Sequence, residues 1–546
     1  VHKMRRAPGP PLSRARTWHP AIACHVGCVR LLVPILFLLA AHGRAATPVQ
    51  PMPPVIRVEE IASPAGAGAS GASLTTSPDG TVWLSWLEPV TSPAGQTAAP
   101  GPMALRVSTL DPATNIWRAP RTIASGTNWF VNWADFPALT VGPGGHATAV
   151  WFVNNPATAA AHDHDGPGYR AFLSRTTDAG ATWSAPLALT KSSDSVEFVS
   201  LATLADGRVL AAWLDGRGKK AGGRTQRLYA RIVGDQGPDT LIDESVCDCC
   251  QTALTAFPDG GALLAYRGRT REEVRDIRLA RFRGTAWETP HALASDDWRI
   301  DGCPVNGPQL ASDGGRVAAA WFTGADNDPR VLASFSPDAG ARFLMPLRID
   351  SAKPAGRVAT LLLHDGALLV TWVGADGGFW LRRVTPDFTI TEPVALTTPA
   401  AGTVKGFPRL ALRRDYAGGK TTAQFIAAYT REGSPSTVAT LLVTVPEGEL
   451  LEAEKNCDCA PTAEQLQGYS IRGTITDVRP AAGALRVSHF ELPGIFPAGT
   501  RDFKVSAELL AAVQPGRQFL GRVDRRDGVW WLFDVRLLAA PPLPAK

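Results

Sequence analysis

The chain has 546 residues, 45% of them hydrophobic and only 19% charged, with a formal charge of +5, 8 Cys and 16 Trp; disordered, collagenous and coiled-coil proteins are excluded. Gly 52 and Pro 45 make about 18% of the residues, too much punctuation for a mainly helical enzyme and suited to many short strands joined by tight turns. An all-β fold is expected.

The first element in chain order is a targeting segment. Residues 1–30 carry Lys3, Arg5, Arg6, Arg14, Arg16 and Arg30 with no Asp or Glu, and the apolar run Leu31 to Ala41 precedes Gly43-Arg44-Ala45-Ala46. A basic stretch, an apolar run and small residues at a cleavage site predict a signal peptide over 1–46 and a periplasmic or secreted protein. The run is short of the roughly 20 apolar residues a spanning helix needs, and no later segment reaches that length, so no transmembrane span is expected in the mature chain. Removing 1–46 takes Lys+Arg from 55 to 48 against 50 Asp+Glu. The basic balance thus belongs to the leader, and nucleic acid is not an expected partner.

From residue 47 to 450 one pattern recurs. A short apolar run leads to Asp-Gly or Gly-Gly, and five or six apolar or small residues then end in Trp or Tyr, as in SLTTSPDGTVWLSW and SLATLADGRVLAAW. The aromatic ends are Trp86, Trp151, Trp213, Tyr266, Trp321, Trp372 and Tyr429, 51 to 65 residues apart. Each unit reads as a hairpin, and each is followed by a second strand pair. Four strands at such a period predict a β-propeller blade, with seven units counted and six admitted.

Two of the second hairpins share S/T-x-D-x-G-x-x-aromatic: Thr176 to Trp183, with Asp178 and Gly180, and Ser336 to Phe343, with Asp338 and Gly340. This pattern resembles the Asp-box, or BNR, repeat of sialidase-like propellers. In that family the box is a folding device away from the active site, so Asp178, Gly180, Trp183, Asp338, Gly340 and Phe343 are expected to be structural.

Blade topology places the segment leading into each first strand and the loop between the second and third strands at one end. Asp135, Glu197 and Cys250 stand ten residues before a turn glycine, Cys303 eleven and Arg357 nine. These five are expected to rim a common pocket. The second loop set adds His162 to Asp165, Asp215 to Lys220 and Arg267 to Asp276. Its arginines either fork onto an anionic ligand or pair with the acids beside them. The sialidase resemblance implies an arginine cluster for a substrate carboxylate, an Asp acid and a Tyr nucleophile paired with Glu. Mapped here, it implies ligand-binding roles for Arg57, Arg267, Arg299, Arg330 and Arg409, with Asp135 as acid and Glu197 as partner; Arg357 joins the expected ligand-binding arginines through its place on the rim. Tyr266 and Tyr429 occupy the packing position and Tyr416 a turn on the other face, leaving the nucleophile unassigned.

Cys247-Asp248-Cys249-Cys250 and Cys303 fall at matching places in adjacent units, and Cys457-Asp458-Cys459 lies in a linker, 451–468. Two readings stand: disulfides, with Cys249 or Cys250 bridged to Cys303, as an exported compartment favours, or a thiolate metal site. No other cofactor is expected. Residues 469–540 form a separate small OB-like β unit. Its segment His489 to Phe503, with Pro493-Gly494, resembles that of the periplasmic copper-binding barrel of cation-efflux systems. The positions of that family's methionine ligands are Phe496, Gly499 and Arg501 here, so a docking or stabilising module for a protein partner is expected in place of a copper site. The functional expectation is an exported propeller that binds an anionic, glycan-like ligand, with sialidase-type hydrolysis conditional on a nucleophile. A catalytically inactive lectin and a metal-handling or assembly protein using the cysteines are the rivals.

Overall fold

Turn glycines at regular spacing cut the chain into strands too short to bury a face alone, and stacking sheets on one another meets that need. The computed structural model describes residues 56–90, 101–155, 168–192, 194–220, 225–386, 388–413, 422–448, 469–489, 499–526 and 528–537. Among these residues the strands form seven four-stranded sheets and one closed five-stranded barrel. The innermost strands of the sheets are Ser70–Thr76, Ala138–Val141, Val196–Thr203, Ala253–Ala256, Gln309–Asp313, Pro354–Leu362 and Val404–Leu412. Each lies beside the next, and the last returns to the first. This cyclic packing is a β-propeller.

The sheet that closes the ring takes three strands from the far end of the repeat region and its outermost strand, Arg57–Ile61, from the start. That strand pairs antiparallel with Thr437–Pro446, from Arg57 opposite Thr444 to Ile61 opposite Thr440. The Gly71 amide donates to Thr430 Oγ1 at 3.2 Å, tying the first sheet to the closing one.

All seven repeat aromatics, Trp86 through Tyr429, sit on second strands and are 2% exposed or less. A strand sandwiched between two neighbouring sheets is apolar on both faces, which is why these runs show no alternation. Their polar atoms are satisfied inside: the Trp213 and Trp321 indoles donate to Asp215 and Asp296 at 2.8 and 2.7 Å, and the Tyr266 hydroxyl to Asp243 at 2.6 Å.

The turns at 176–183 and 336–343 adopt one hydrogen-bond pattern. Asp178 accepts from the Thr182 amide at 2.9 Å, and Asp338 from the Arg342 amide at 2.8 Å. In both, the glycine amide donates to the hydroxyl four residues earlier. Gly340, at φ +87°, packs so close to Leu263 that a Cβ would lie 2.4 Å from its Cδ2. The turn at Gly145 abuts the one at Ala179, so the short hairpins and these longer turns share one end of the propeller.

The barrel comprises Tyr469–Arg479, Ala484–His489, Gly499–Lys504, Gln518–Arg526 and Val529–Leu537, in spatial order first, second, third, fifth, fourth. The helix Ala507–Ala512 is capped by the Ser506 hydroxyl. Ile471, Leu485, Val487, Phe503, Phe519 and Val523 fill the barrel. His489 is 5% exposed and meets Phe503 edge-on, whereas Arg501 lies on the exposed face of its strand. Phe496 lies outside the described residues. No helix among the described residues is long and apolar enough to cross a membrane.

Candidate functional site

The end opposite the hairpin turns is built from the segments that lead into the innermost strands. They reach across one another, because buried backbone groups there have no ladder partner and must be satisfied by side chains. Gln251, 4% exposed, donates to the Ala134 carbonyl at 2.7 Å and accepts from the Gly307 amide at 3.1 Å, tying the second, fourth and fifth sheets. Asn306 accepts from the Arg357 amide at 2.7 Å and donates to the Ala355 carbonyl at 3.2 Å. That clamp holds Arg357 at φ +54°, a backbone conformation costly for a residue with a Cβ and maintained by its surroundings.

Arg357 leads a stack of cations and rings. Its guanidinium lies 4.8 Å over Trp133; Trp133 stacks on Phe407 at 6.2 Å; Phe407 meets Phe136 at 6.1 Å; and Arg409 lies 4.6 Å over Phe136. Arg357 also donates to the Val404 carbonyl at 3.2 Å, and Arg409 to the Gln309 side chain at 3.1 Å. Neither guanidinium makes a hydrogen bond or ion pair to a carboxylate among the described residues, although the Glu432 charge across the groove acts on Arg357. Burial lowers both, Arg409 to about 10, and both remain charged at neutral pH. Trp133 is 41% exposed. Beside it opens a groove of about 350 Å³ lined by Trp133, Arg357, Asp376, Thr403, Lys405 and Glu432. An exposed ring edged by polar and cationic groups can stack a ligand's apolar face and fork onto its anionic group.

A second cluster lies beneath the same face. Asp135, 4% exposed, accepts from the Tyr169 hydroxyl at 2.6 Å and the Phe198 amide at 2.8 Å. Glu197 accepts from Gln226 at 2.9 Å and from the Ser195 hydroxyl. Burial, reinforced by the Glu197 charge, pushes the Asp135 carboxyl up to about 8; burial and the same two carboxylates hold the Tyr169 phenol well above its ordinary value. Tyr169 stacks on Phe130 with centroids 3.7 Å apart. The sequence reading missed this tyrosine, whose signal was its place at the lead-in end of a third strand. It also missed Trp133, whose signal was the ring-rich stretch WFVNWADF outside any strand pattern.

Several expected site residues are placed elsewhere. Asp135 and Glu197 come together as expected, yet both are buried and internally bonded, so neither presents a carboxyl to the groove. Arg57 is on the outermost strand of the closing sheet, opposite Thr444 near the hairpin-turn end. Arg267 is 1% exposed and donates to the carbonyls of Asn306, Arg275 and Phe322, which makes it a structural tie. Arg299 pairs with Asp297 at the surface, and Arg330 donates to the Ala325 and Asp328 carbonyls. The cationic loops supply their own counter-charges: Arg217 with Asp215 and Asp239, Lys219 and Arg269 with Asp248, Arg275 with Glu273. Of the six expected ligand-binding arginines, the rings gather Arg357 and Arg409. His162 to Asp165 lie outside the described residues.

The cysteines of adjacent sheets converge, with a pairing different from the one expected. The disulfide joins Cys247 to Cys250, whose Cα atoms the tight turn brings to 5.7 Å, well within bridging distance. Cys249 and Cys303 stand side by side as thiols. A hydrogen bond with Cys303, together with burial, raises the Cys249 thiol well above its ordinary value. Cys457 and Cys459 lie outside the described residues.

The fold and the lead-in face together define a β-propeller with a ring-and-arginine groove at one end. No family model matches the chain, and no curated protein matches it. Solved structures match at low identity. A Dyadobacter fermentans protein of unknown function is 14% identical over 71% of this chain and 99% of its own, with a TM-score of 0.43. An ulvan lyase bound to a GlcA-Rha3S saccharide is 11% identical over 70% and 95%, with a TM-score of 0.43. A Hadza microbial sialidase is 12% identical over 70% and 66%, with a TM-score of 0.36. These are loose likenesses of shape, and no residue role passes from them to this chain.

Proposed function

We propose that the protein is an exported propeller that binds an acidic saccharide on its lead-in face. The observation that carries this reading is the Arg357–Trp133 pair at the mouth of the groove: a guanidinium with no contacting carboxylate, fixed over a half-exposed ring. A sugar ring presents an apolar face to Trp133, and a carboxylate or sulfate matches the Arg357 fork, with Lys405 lining the same groove beside Asp376 and Glu432, which take hydroxyl donors. Arg409, behind the rings, adds a second positive charge along the same stack. Asp135 and Glu197 act here as positioning groups, since the Asp135 bonds to Tyr169 and Phe198 fix the segment that carries Trp133. Binding without turnover is therefore the reading the geometry supports over sialidase-type hydrolysis. Titration of acidic oligosaccharides against the protein and its Trp133→Ala and Arg357→Met variants tests this. Loss of binding in both variants supports the reading; unchanged affinity in either, or release of sugar by the unmodified protein, overturns it.

A further inference from the structure

We propose that the sulfurs of Cys247, Cys249, Cys250 and Cys303 form a binding site for a thiophilic d10 cation, zinc(II) or copper(I), when the Cys247–Cys250 bridge is reduced. The sulfurs of Cys247, Cys249 and Cys250 all lie within 4.8 Å of one another, with Cys247 and Cys249 4.0 Å apart. Two sulfurs on one tetrahedral ion at about 2.3 Å are separated by about 3.8 Å, so the turn needs little movement to close on a metal. Cys303 comes from the neighbouring sheet as the fourth ligand; it is in contact with Cys249 but stands outside the group of three mutually close sulfurs, so its segment must move inward to complete the site.

The surroundings are arranged for this use. Asp248, the residue between the first two cysteines, is held by the Gln226 amide at 2.8 Å and by Lys219 and Arg269 at 3.0 Å each. With the carboxylate anchored there, the turn's three sulfurs are left to cluster together. Arg275, 2% exposed, places Nη1 3.6 Å from Cys247 Sγ. Arg267, whose hydrogen bonds among the described residues go to three backbone carbonyls, is within electrostatic reach of Cys249 as well as of Asp296 and Asp276. Arg275, although it also pairs with Glu273 at 2.7 Å, and Arg267 place positive charge beside the sulfurs, the role that outer partners play in metal sites.

Loading proceeds in two balanced steps. A dithiol reductant gives two electrons and two protons to the Cys247–Cys250 bridge and leaves as its own disulfide. The four thiols then bind one cation, and each thiol that becomes a thiolate ligand releases its proton. In reverse, the disulfide form of the same dithiol accepts two electrons from the Cys247 and Cys250 thiolates and two protons from solvent, the Cys247–Cys250 bond re-forms and the metal leaves, so occupancy follows the redox state of the bridge.

The test uses the full chain, reduced with a phosphine under argon. It is titrated with zinc(II) or copper(I) against a chromophoric chelator, and with cobalt(II) for the ligand-field bands of a tetrahedral thiolate site. The unmodified chain is expected to bind one equivalent that Cys249→Ser and Cys303→Ser each remove, while the Cys457→Ser/Cys459→Ser variant keeps it. Cys303 is exposed, so its variant retains the fold, which unchanged tryptophan fluorescence verifies. Equal stoichiometry in the unmodified chain and the Cys303→Ser variant, or no uptake by the reduced chain, overturns the proposal.

Discussion

Replacing Asp135 by Asn should remove a pH dependence of stability that the buried carboxyl imposes on the propeller. Asp135 is 4% exposed and its native carboxyl is pushed up to about 8, with burial as the main cause and the Glu197 charge adding to it. In the unfolded chain an Asp releases its proton near pH 4. Between these values the native state holds a proton that the unfolded state has lost, so unfolding free energy falls as pH rises. The stability linked to this group is fully present below about pH 4 and is lost as pH climbs through about 8. From pH 5 to pH 8 the loss is about 3–4 kcal/mol, at about 1.36 kcal/mol per pH unit over nearly three units. Asn keeps an acceptor for the Tyr169 hydroxyl or the Phe198 amide but cannot titrate. Urea denaturation followed by tryptophan fluorescence at pH 5 and pH 8, on both proteins, isolates the contribution of Asp135 and of the Glu197 and Tyr169 groups coupled to it, because titrating groups remote from this cluster cancel in the difference. A pH-induced loss that is equal in the two proteins would refute the reasoning.

Arg267→Ala should destabilise the propeller by about 3–5 kcal/mol, since three buried carbonyls lose their donor; the shift in urea midpoint measures it, and a loss under 1 kcal/mol contradicts the structural role. Gly340→Ala should cost about 1–3 kcal/mol, because its Cβ meets Leu263 and its φ is +87°, with saccharide affinity unchanged at the far end of the propeller. Asn306→Ala removes the acceptor that holds the Arg357 amide. It should weaken saccharide binding about 3–10-fold, as expected from the loss of one net hydrogen bond, in a protein whose Trp133 environment is measurably altered by fluorescence.

The propeller was legible in the sequence because its signals are local. Each Asp-Gly or Gly-Gly turn and each terminal Trp or Tyr specifies a hairpin without reference to distant residues, and repetition does the rest. Topology also allowed Asp135, Glu197, Cys250, Cys303 and Arg357 to be placed on one end. Which of these meet solvent was not legible, since that depends on contacts between segments far apart in the chain. Asp135 is covered because Tyr169 and the Phe198 amide close over it; Arg357 faces the groove because Asn306, 51 residues earlier, fixes its backbone. The cationic loops misled for a different reason. Arg269 and Arg275 find Glu273, and Lys219 finds Asp248, so a high local count of arginines left little uncompensated charge. Trp133 escaped notice because a ring outside a strand carries no periodicity, even though it is the surface on which the groove depends.

The most direct test of the acidic-saccharide reading is calorimetric titration of a uronic-acid oligosaccharide and its carboxyl-reduced counterpart against the unmodified protein and Arg357→Met. A charge-assisted bond of about 1.5–3 kcal/mol corresponds to about 10–100-fold in affinity. The acid should therefore bind the unmodified protein tighter than the reduced sugar by that factor, and Arg357→Met should bind both alike. Equal affinity of the unmodified protein for the two sugars, or a preference for the acid that survives in Arg357→Met, would contradict the account.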